Sequence, residues 1–451
     1  MKTSLYASVA ALALSTSVAQ ADGHLVFDVG DGAFNWDSYQ TFADSFDLTG
    51  QTLDVFGPWR GDDQELFENL EAYFEAATGA TVNYASSETY EQQIVIDTEA
   101  GSPPDIAILP QPGLIQNLVT AGYVAPLGED TAAWLSDNYA AGDSWAGIGS
   151  FTGPDGDTAL YAFPFKADVK SLVWFSPDNF DDFGYDVPET QEDLRALEEQ
   201  IIADGGTPWC IGLGSGGATG WPATDWMEDL MLRAHPPDVY DAWVANEIPF
   251  TDERVVAVME QFGEIARNDA MVVGGSDGVA SIDFRDSPDG MFASPPQCFM
   301  HRQASFIPTF FPDEVEIGID ADFFYFPPSS EVDLGNPVLG AGTLAFITDD
   351  NDASRAFIEF LKTPIAHEIW MAQSGFLTPH SGVNTELFGD PTLRQMNDIL
   401  LNATTFRFDG SDLMPAGVGA GSFWTGMIDY VGGADAATVA QEIQDSWDAL
   451  D

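Results

Sequence analysis

The chain has 451 residues, of which 73 are acidic and 14 basic, giving a formal charge of -59. Such a charge repels phosphate backbones and anionic headgroups, and no basic block for counterion release occurs, so nucleic acid and anionic membrane are excluded as partners. Hydrophobic residues make up 45% and aromatics 12%, enough for a large core, and the length suits two or three domains or one two-lobed body.

At the N-terminus Lys2 is the only charge before Asp22, and the apolar run Leu5 to Ala19 leads into Ala19-Gln20-Ala21. A charged start, an apolar middle and a small-x-small end are the pattern of an export signal over 1–21, cleaved after Ala21; the alternative is a buried N-terminal helix. No Cys stands at that point to carry a lipid, and no other stretch has the roughly twenty apolar residues of a spanning helix, so a freely diffusing periplasmic product is expected. Past a polar lead-in to about Gly50, strand-like and helical segments alternate in an α/β pattern. Gln51–Phe56, Thr81–Ala85 and Asp105–Leu109 read as strands, and Asp62–Ala77 and Tyr90–Glu99 as helices. The strands open into loops at Gly57–Asp62, Ser86–Thr89 and Pro110–Gly113, and ligands of open α/β sheets bind beyond strand C-termini. Phe163–Phe175 is extended and apolar but carries Lys166, Asp168 and Lys170. Helices are predicted at Gln191–Ala203, Asp225–Ala234 and Val255–Arg267. A Gly-rich strand then runs from Val338 into a helix reaching Leu361, and the last helix spans Ala437–Leu450.

Motifs for catalysis are weak. Gly212-x-Gly214-x-x-Gly217 has the letters of a dinucleotide fingerprint, but Pro222 interrupts the segment after it and the helix is expected only from Thr224, too late to hold pyrophosphate. Gly274-x-Ser276-x-Gly278 has nucleophile-elbow spacing in what reads as a Gly-rich surface loop. His367-Glu368 lacks the second His of a zinc protease and reads as a helix-surface pair. With four lysines and no Walker motif, no nucleotide triphosphatase is encoded. Asp155-Gly156-Asp157 lacks the full ligand set of a calcium loop; no metal or cofactor is expected. Acid pairs for glycoside hydrolysis recur by chance among 73 acids. Cys210 and Cys298 form an even pair, a disulfide candidate in an oxidising compartment, with two buried thiols as the alternative.

Tryptophan is the more informative signal. Trp59-Arg60, Gly220-Trp221-Pro222 and Ser422-Phe423-Trp424 put indoles where elements meet turns rather than mid-element. Indole faces stack on the C–H faces of sugar rings while polar groups take the hydroxyls; the bland alternative packs each Trp in the core.

These segments resemble the periplasmic carbohydrate-binding proteins of ABC importers, and in particular their alpha-glucoside-binding branch. The general marks are Phe74-Glu75-Ala76-Ala77-Thr78-Gly79, Pro104-Asp105-Ile106-Ala107-Ile108, Phe163-Pro164-Phe165-Lys166-Ala167-Asp168 and Gly340-Ala341-Gly342. The branch marks are Gly220-Trp221-Pro222-Ala223-Thr224-Asp225-Trp226, Cys298 to Phe306, Phe376-Leu377-Thr378-Pro379-His380 and Phe406 to Pro415. The resemblance implies a two-lobed α/β fold of the maltose-binding type, with crossovers near Phe163–Asp168, Cys298–Gln303 and Thr363. The implied N-terminal lobe comprises 22–163 and 301–363, and the C-terminal lobe 164–300 and 364–451. It further implies a ligand site of Trp59, Arg60, Asp62, Gln111, Asp168, Trp221, His301, Gly342, Phe423 and Trp424. Pro110-Gln111-Pro112 stands where the maltose-binding pattern has a charged group, which argues against strict maltose specificity. The expected function is a non-enzymatic, monomeric receptor that closes around an alpha-glucoside of the maltose, sucrose or trehalose type and delivers it to a membrane permease. The alternatives are a secreted glycoside hydrolase and a binder of a polyol or osmolyte.

Overall fold

The computed structural model describes residues 25–140, 142–373, 375–389 and 391–450. The expected export signal lies outside them. Ile106–Leu109 is buried at all four positions, as a strand covered on both faces must be. It lies in a six-stranded sheet, where Thr52–Phe56 pairs in parallel with it and with Thr81–Ala85. Pro337–Ile347 runs antiparallel to Ile106–Leu109 and to Ala162–Val169, and parallel to Thr405–Phe408. A second sheet sets Leu172–Phe175 between Met300–Arg302 and Asp322–Tyr325, all antiparallel.

Helix Asp62–Thr78 follows the first strand. Asp62, Asp63 and Glu65 complement the dipole at its start, and Gly79, at φ 74, terminates it in the left-handed conformation. Its buried residues Asp63, Phe67, Leu70 and Phe74 recur at helical spacing and cover the larger sheet. The polar, Gly- and Asp-rich lead-in contains helix Trp36–Ala43, whose Tyr39 and Phe42 are buried.

The buried side chains form two hydrophobic cores: the first surrounds the larger sheet and takes Leu172, Trp174 and Phe323 from one face of the smaller sheet, and the second takes Val173, Phe175 and Phe324 from its other face. The chain passes from the larger sheet to the smaller at Lys170–Ser171 and returns between Tyr325 and Pro337; in between, after Met300–Arg302, it leads through Gln303–Ser305 to bury Ile307 and Phe311 in the first core before Asp322–Tyr325 rejoins the smaller sheet. The first crossover therefore lies after Phe163–Asp168, because that whole segment is held by Pro337–Ile347. Thr363 is no crossover. It caps helix Pro364–Met371, which packs with Asp352–Leu361 in the first core. Side chains from Ile365 to Phe408 belong to that core as well, so the division of cores falls between Phe408 and Met414 rather than after residue 363.

Three local expectations are corrected. A helix begins directly at Trp221, since Pro222 sits in the first turn where a missing N–H costs nothing. Gly275–Ser281 is a short helix and not a loop. His367 and Glu368 are buried: His367 Nε2 lies 2.8 Å from the Leu361 carbonyl, while the Glu368 carboxylate accepts from the Asn35 and Asn384 amides.

Candidate functional site

Where the two cores meet there is a cleft that holds ≈ 180 Å³ open to water. One wall comes from the loops that end the parallel strands: Trp59, Arg60 and Asp63 after the first, Glu88 and Glu91 after the second, and Gln111 after the third. The sheet contributes the floor, with Lys166, Asp168 and Lys170 from one strand and Ala341 and Thr343 from its neighbour. The opposite wall carries Trp221, Phe284 and Trp424.

Glycines bring these walls close. Gly220, at φ 115, precedes the Trp221 helix, and a Cβ there would lie 2.3 Å from the Trp424 carbonyl oxygen. Only a residue without a side chain lets the two indole-bearing segments meet. Gly216, at φ 56, packs on Glu88, and the Gly217 N–H donates to the Glu88 carbonyl at 3.0 Å across the mouth of the cleft. The glycines of the supposed dinucleotide fingerprint thus serve close backbone approach and cradle no phosphate.

The cleft's cations are already neutralised. Lys166 Nζ donates to Asp168 Oδ1 at 2.5 Å, Arg60 pairs with Glu88 at 3.1 Å, and Arg285 with Asp283 at 3.2 Å. Lys170 Nζ donates to Asp225 Oδ1 at 2.8 Å and also to Asp409, while lying 5.3 Å from the Trp221 ring centre. Asp225, Glu228 and Asp409 bring ligand-type oxygens within 4.8 Å of one another, but the Lys170 ammonium supplies the positive charge a metal would bring. Burial drives the acids of this cluster up: Asp225 to about 7, and Glu228 and Asp412 well above the usual range. Burial acts on Asp409 in the same sense, yet its bonds with Lys170 hold it at about 2. Asp63 is pushed to about 6, burial outweighing the nearby Lys166.

Four polar atoms of the lining are buried without a protein partner: Glu91 Oε2, Gln111 Oε1, Thr343 Oγ1 and Trp424 Nε1. Each such atom costs about 1–3 kcal/mol if left unsatisfied. Lining one cleft with the aromatic side chains of Trp221 and Trp424, they are complementary to a molecule rich in hydroxyls.

Of the residues singled out from sequence, Trp59, Arg60, Gln111, Asp168, Trp221 and Trp424 converge on this cleft. Four do not. Asp62 faces solvent, and its neighbour Asp63, one helical step round, points inward. Phe423 is sealed in the second core against Trp243 and Phe250. His301 is buried in the smaller sheet, with Nδ1 2.8 Å from the Cys210 carbonyl, and burial lowers it to about 4. Gly342 lies on the face of its strand opposite Ala341 and Thr343, where a Cβ would approach the Trp145 ring at 3.3 Å. The bland reading holds for Trp174, Trp209, Trp226, Trp243 and Trp370, which are wholly buried. Cys210 and Cys298 are bridged, with Cα atoms 5.5 Å apart. Sequence reasoning missed Asp63, Glu91, Thr343 and Asp409. The first two occupy buried positions of their helices, a signal readable from periodicity.

Two α/β lobes, joined by several crossings and enclosing a polar cleft with aromatic walls, define a type II ligand receptor. The model of the family described as bacterial extracellular solute-binding protein matches residues 60–368, and the chain belongs to that family. It is 62% identical over the full length of both chains to the alpha-glucosides-binding periplasmic protein AglE of Rhizobium meliloti (strain 1021). It is 40% identical to the osmoprotective compounds-binding protein GgtB of Synechocystis sp., over 87% of this chain and 91% of that one. Among solved structures, the solute receptor AcbH superposes with a TM-score of 0.75 at 18% identity, covering 89% of this chain and 99% of that one. Maltose-bound MalE3 of T. maritima does so with 0.67 at 13% identity, covering 89% and 100%; both likenesses show the fold. The protein is accordingly a solute-binding component of an ABC importer and not a hydrolase. No helix among the described residues is long and apolar enough to cross a membrane.

Proposed function

We propose that the cleft captures alpha-glucosides, disaccharides of the maltose, sucrose or trehalose type, and that the closed complex delivers them to the permease. The observation that carries this reading is the set of four unpartnered polar atoms beside Trp221 and Trp424. Glu91 Oε2 and Gln111 Oε1 accept, Trp424 Nε1 donates, and Thr343 Oγ1 does either, which suits hydroxyls that do both. Trp221 and Trp424 act as stacking platforms, while Arg60 and Asp168 meet hydroxyls at the rim and floor. The name of the relative AglE supports the glycoside class. That of GgtB supports a second reading, an osmoprotective solute, which keeps the same residues. Hinge closure about Lys170–Ser171 and Gln303–Ser305 favours the form in which ligand touches both lobes. The mature protein, cleaved after Ala21, acts as a monomer.

Titration calorimetry with maltose, sucrose and trehalose tests this. Binding returns intact sugar, and Trp221→Ala or Trp424→Ala weakens it more than tenfold, about 1.4 kcal/mol. Unchanged affinity in either variant removes that indole from the site. A thermal-shift screen of sugars against polyols and other osmolytes ranks the two readings, since a ligand bound only by the folded state raises Tm.

A further inference from the structure

Among the described residues that line the cleft, Glu91 is the one acid with an orphaned carboxylate oxygen. Its side chain is 4% exposed and lies in the first turn of helix Tyr90–Ala100, against the cleft. Oε1 receives the Gln111 amide at 3.5 Å, whereas Oε2 has no protein partner. The groups packed around it are few. On its own segment these are the Tyr90 phenol and Glu88, the latter engaged by Arg60. From helix Pro112–Thr120 comes the neutral Gln111, which caps it. From Gly410–Leu413 across the cleft comes Asp412, with Asp409 and Lys170 behind it. None of these is a cation paired with Glu91.

We propose that ligand capture is proton-linked through Glu91: a ligand hydroxyl donates to Oε2 of the ionised carboxylate, so binding expels to solvent the proton that the empty site holds there. This rests on the sugar reading of the cleft and adds a regulation to it. Burial, the largest influence on the carboxyl, outweighs the bonds from its own amide, Tyr90 and Gln111 and raises it to about 7. At neutral pH the empty site is therefore divided between acid and carboxylate, and a hydroxyl donor selects the carboxylate. Asp63 differs, because Lys166 and Thr309 already face it.

The test is titration of the full protein with trehalose at pH 7 in two buffers of different ionisation enthalpy, followed by a pH series. The expected release is about half a proton per trehalose, and the affinity weakens about tenfold between pH 8 and pH 6 as the competent fraction falls. Glu91→Gln keeps an acceptor but no proton, so it abolishes the release and flattens the pH profile, while Glu198→Gln, which removes a buried acid outside the cleft that burial likewise raises to about 7, leaves both in place. Equal heats in the two buffers, proton uptake, or undiminished release by Glu91→Gln overturns the proposal. The wild-type comparison alone decides if the variant does not fold. Trehalose bound with no proton exchange sinks only the linkage; failure of maltose, sucrose and trehalose to bind at all sinks the sugar reading and the linkage with it.

Discussion

Replacing Lys170 by Met removes the one ammonium that joins the crossover strand to helix Trp221–Ala234 and to the turn at Asp409, through Asp225 and Asp409. All three partners are buried. Without Lys170, Asp409 must either stay ionised and unpaired or take up a proton in the folded state. Breaking a buried pair by deleting one partner costs about 3–5 kcal/mol. Protonation sets a ceiling: with an unfolded value of 3.8, neutralising the group at pH 7 costs about 1.4 kcal/mol for each of roughly three units, or ~4 kcal/mol. The same arithmetic leaves only ~1.6 kcal/mol at pH 5, because protonation is then easier. Urea unfolding followed by Trp fluorescence at both pH values measures the two losses. Removing the carboxylate together with the ammonium, in Lys170→Met with Asp409→Asn, recovers most of the pH 7 loss. A Lys170→Met penalty below about 1 kcal/mol at pH 7, or one equal at the two pH values, refutes the assignment of Lys170 as the partner that keeps Asp409 ionised.

The bridge between Cys210 and Cys298 closes a separation of 88 residues, so on the chain-entropy model its loss in Cys210→Ser with Cys298→Ser costs about 4–5 kcal/mol. Urea midpoints unchanged by the double substitution contradict this. Stability also declines as pH rises toward 8. Burial is the leading cause that lifts Asp63 to about 6 and Glu91 and Glu198 to about 7, above ordinary values of 3.8, 4.5 and 4.5. Each group contributes stability that is complete below its unfolded value and is lost as pH climbs through its folded value, on the order of 3 kcal/mol apiece. Calorimetric Tm should fall from pH 5 to pH 8, and a Tm that rises over that window refutes the burial of these acids.

What the sequence disclosed and what it hid divide along a physical line. The strand read at Asp105–Leu109 and the helix read at Asp62–Ala77 were legible because the strand and helix periods depend only on near neighbours. The same periods, applied more strictly, would have replaced Asp62 by Asp63 and Gly342 by Thr343, and would have allowed only one of Phe423 and Trp424 into the cleft. Adjacent residues on a helix diverge by roughly 100°, and on a strand they face opposite ways. Periodicity could not reveal Lys170 or Asp409, which are 239 positions apart and acquire meaning only when the crossover strand and the Asp409 turn are brought together. Nor could it reveal that Gly220 and Gly216 were retained for contact, since the atoms they make room for belong to Trp424 and Glu88. A glycine-rich letter pattern is therefore ambiguous between a phosphate cradle and a close passage of two chains, and only the partner across the gap decides between them. Here the partners are a carbonyl beside an indole and a carbonyl beside a carboxylate, and both stand at a cleft whose unpaired groups call for hydroxyls.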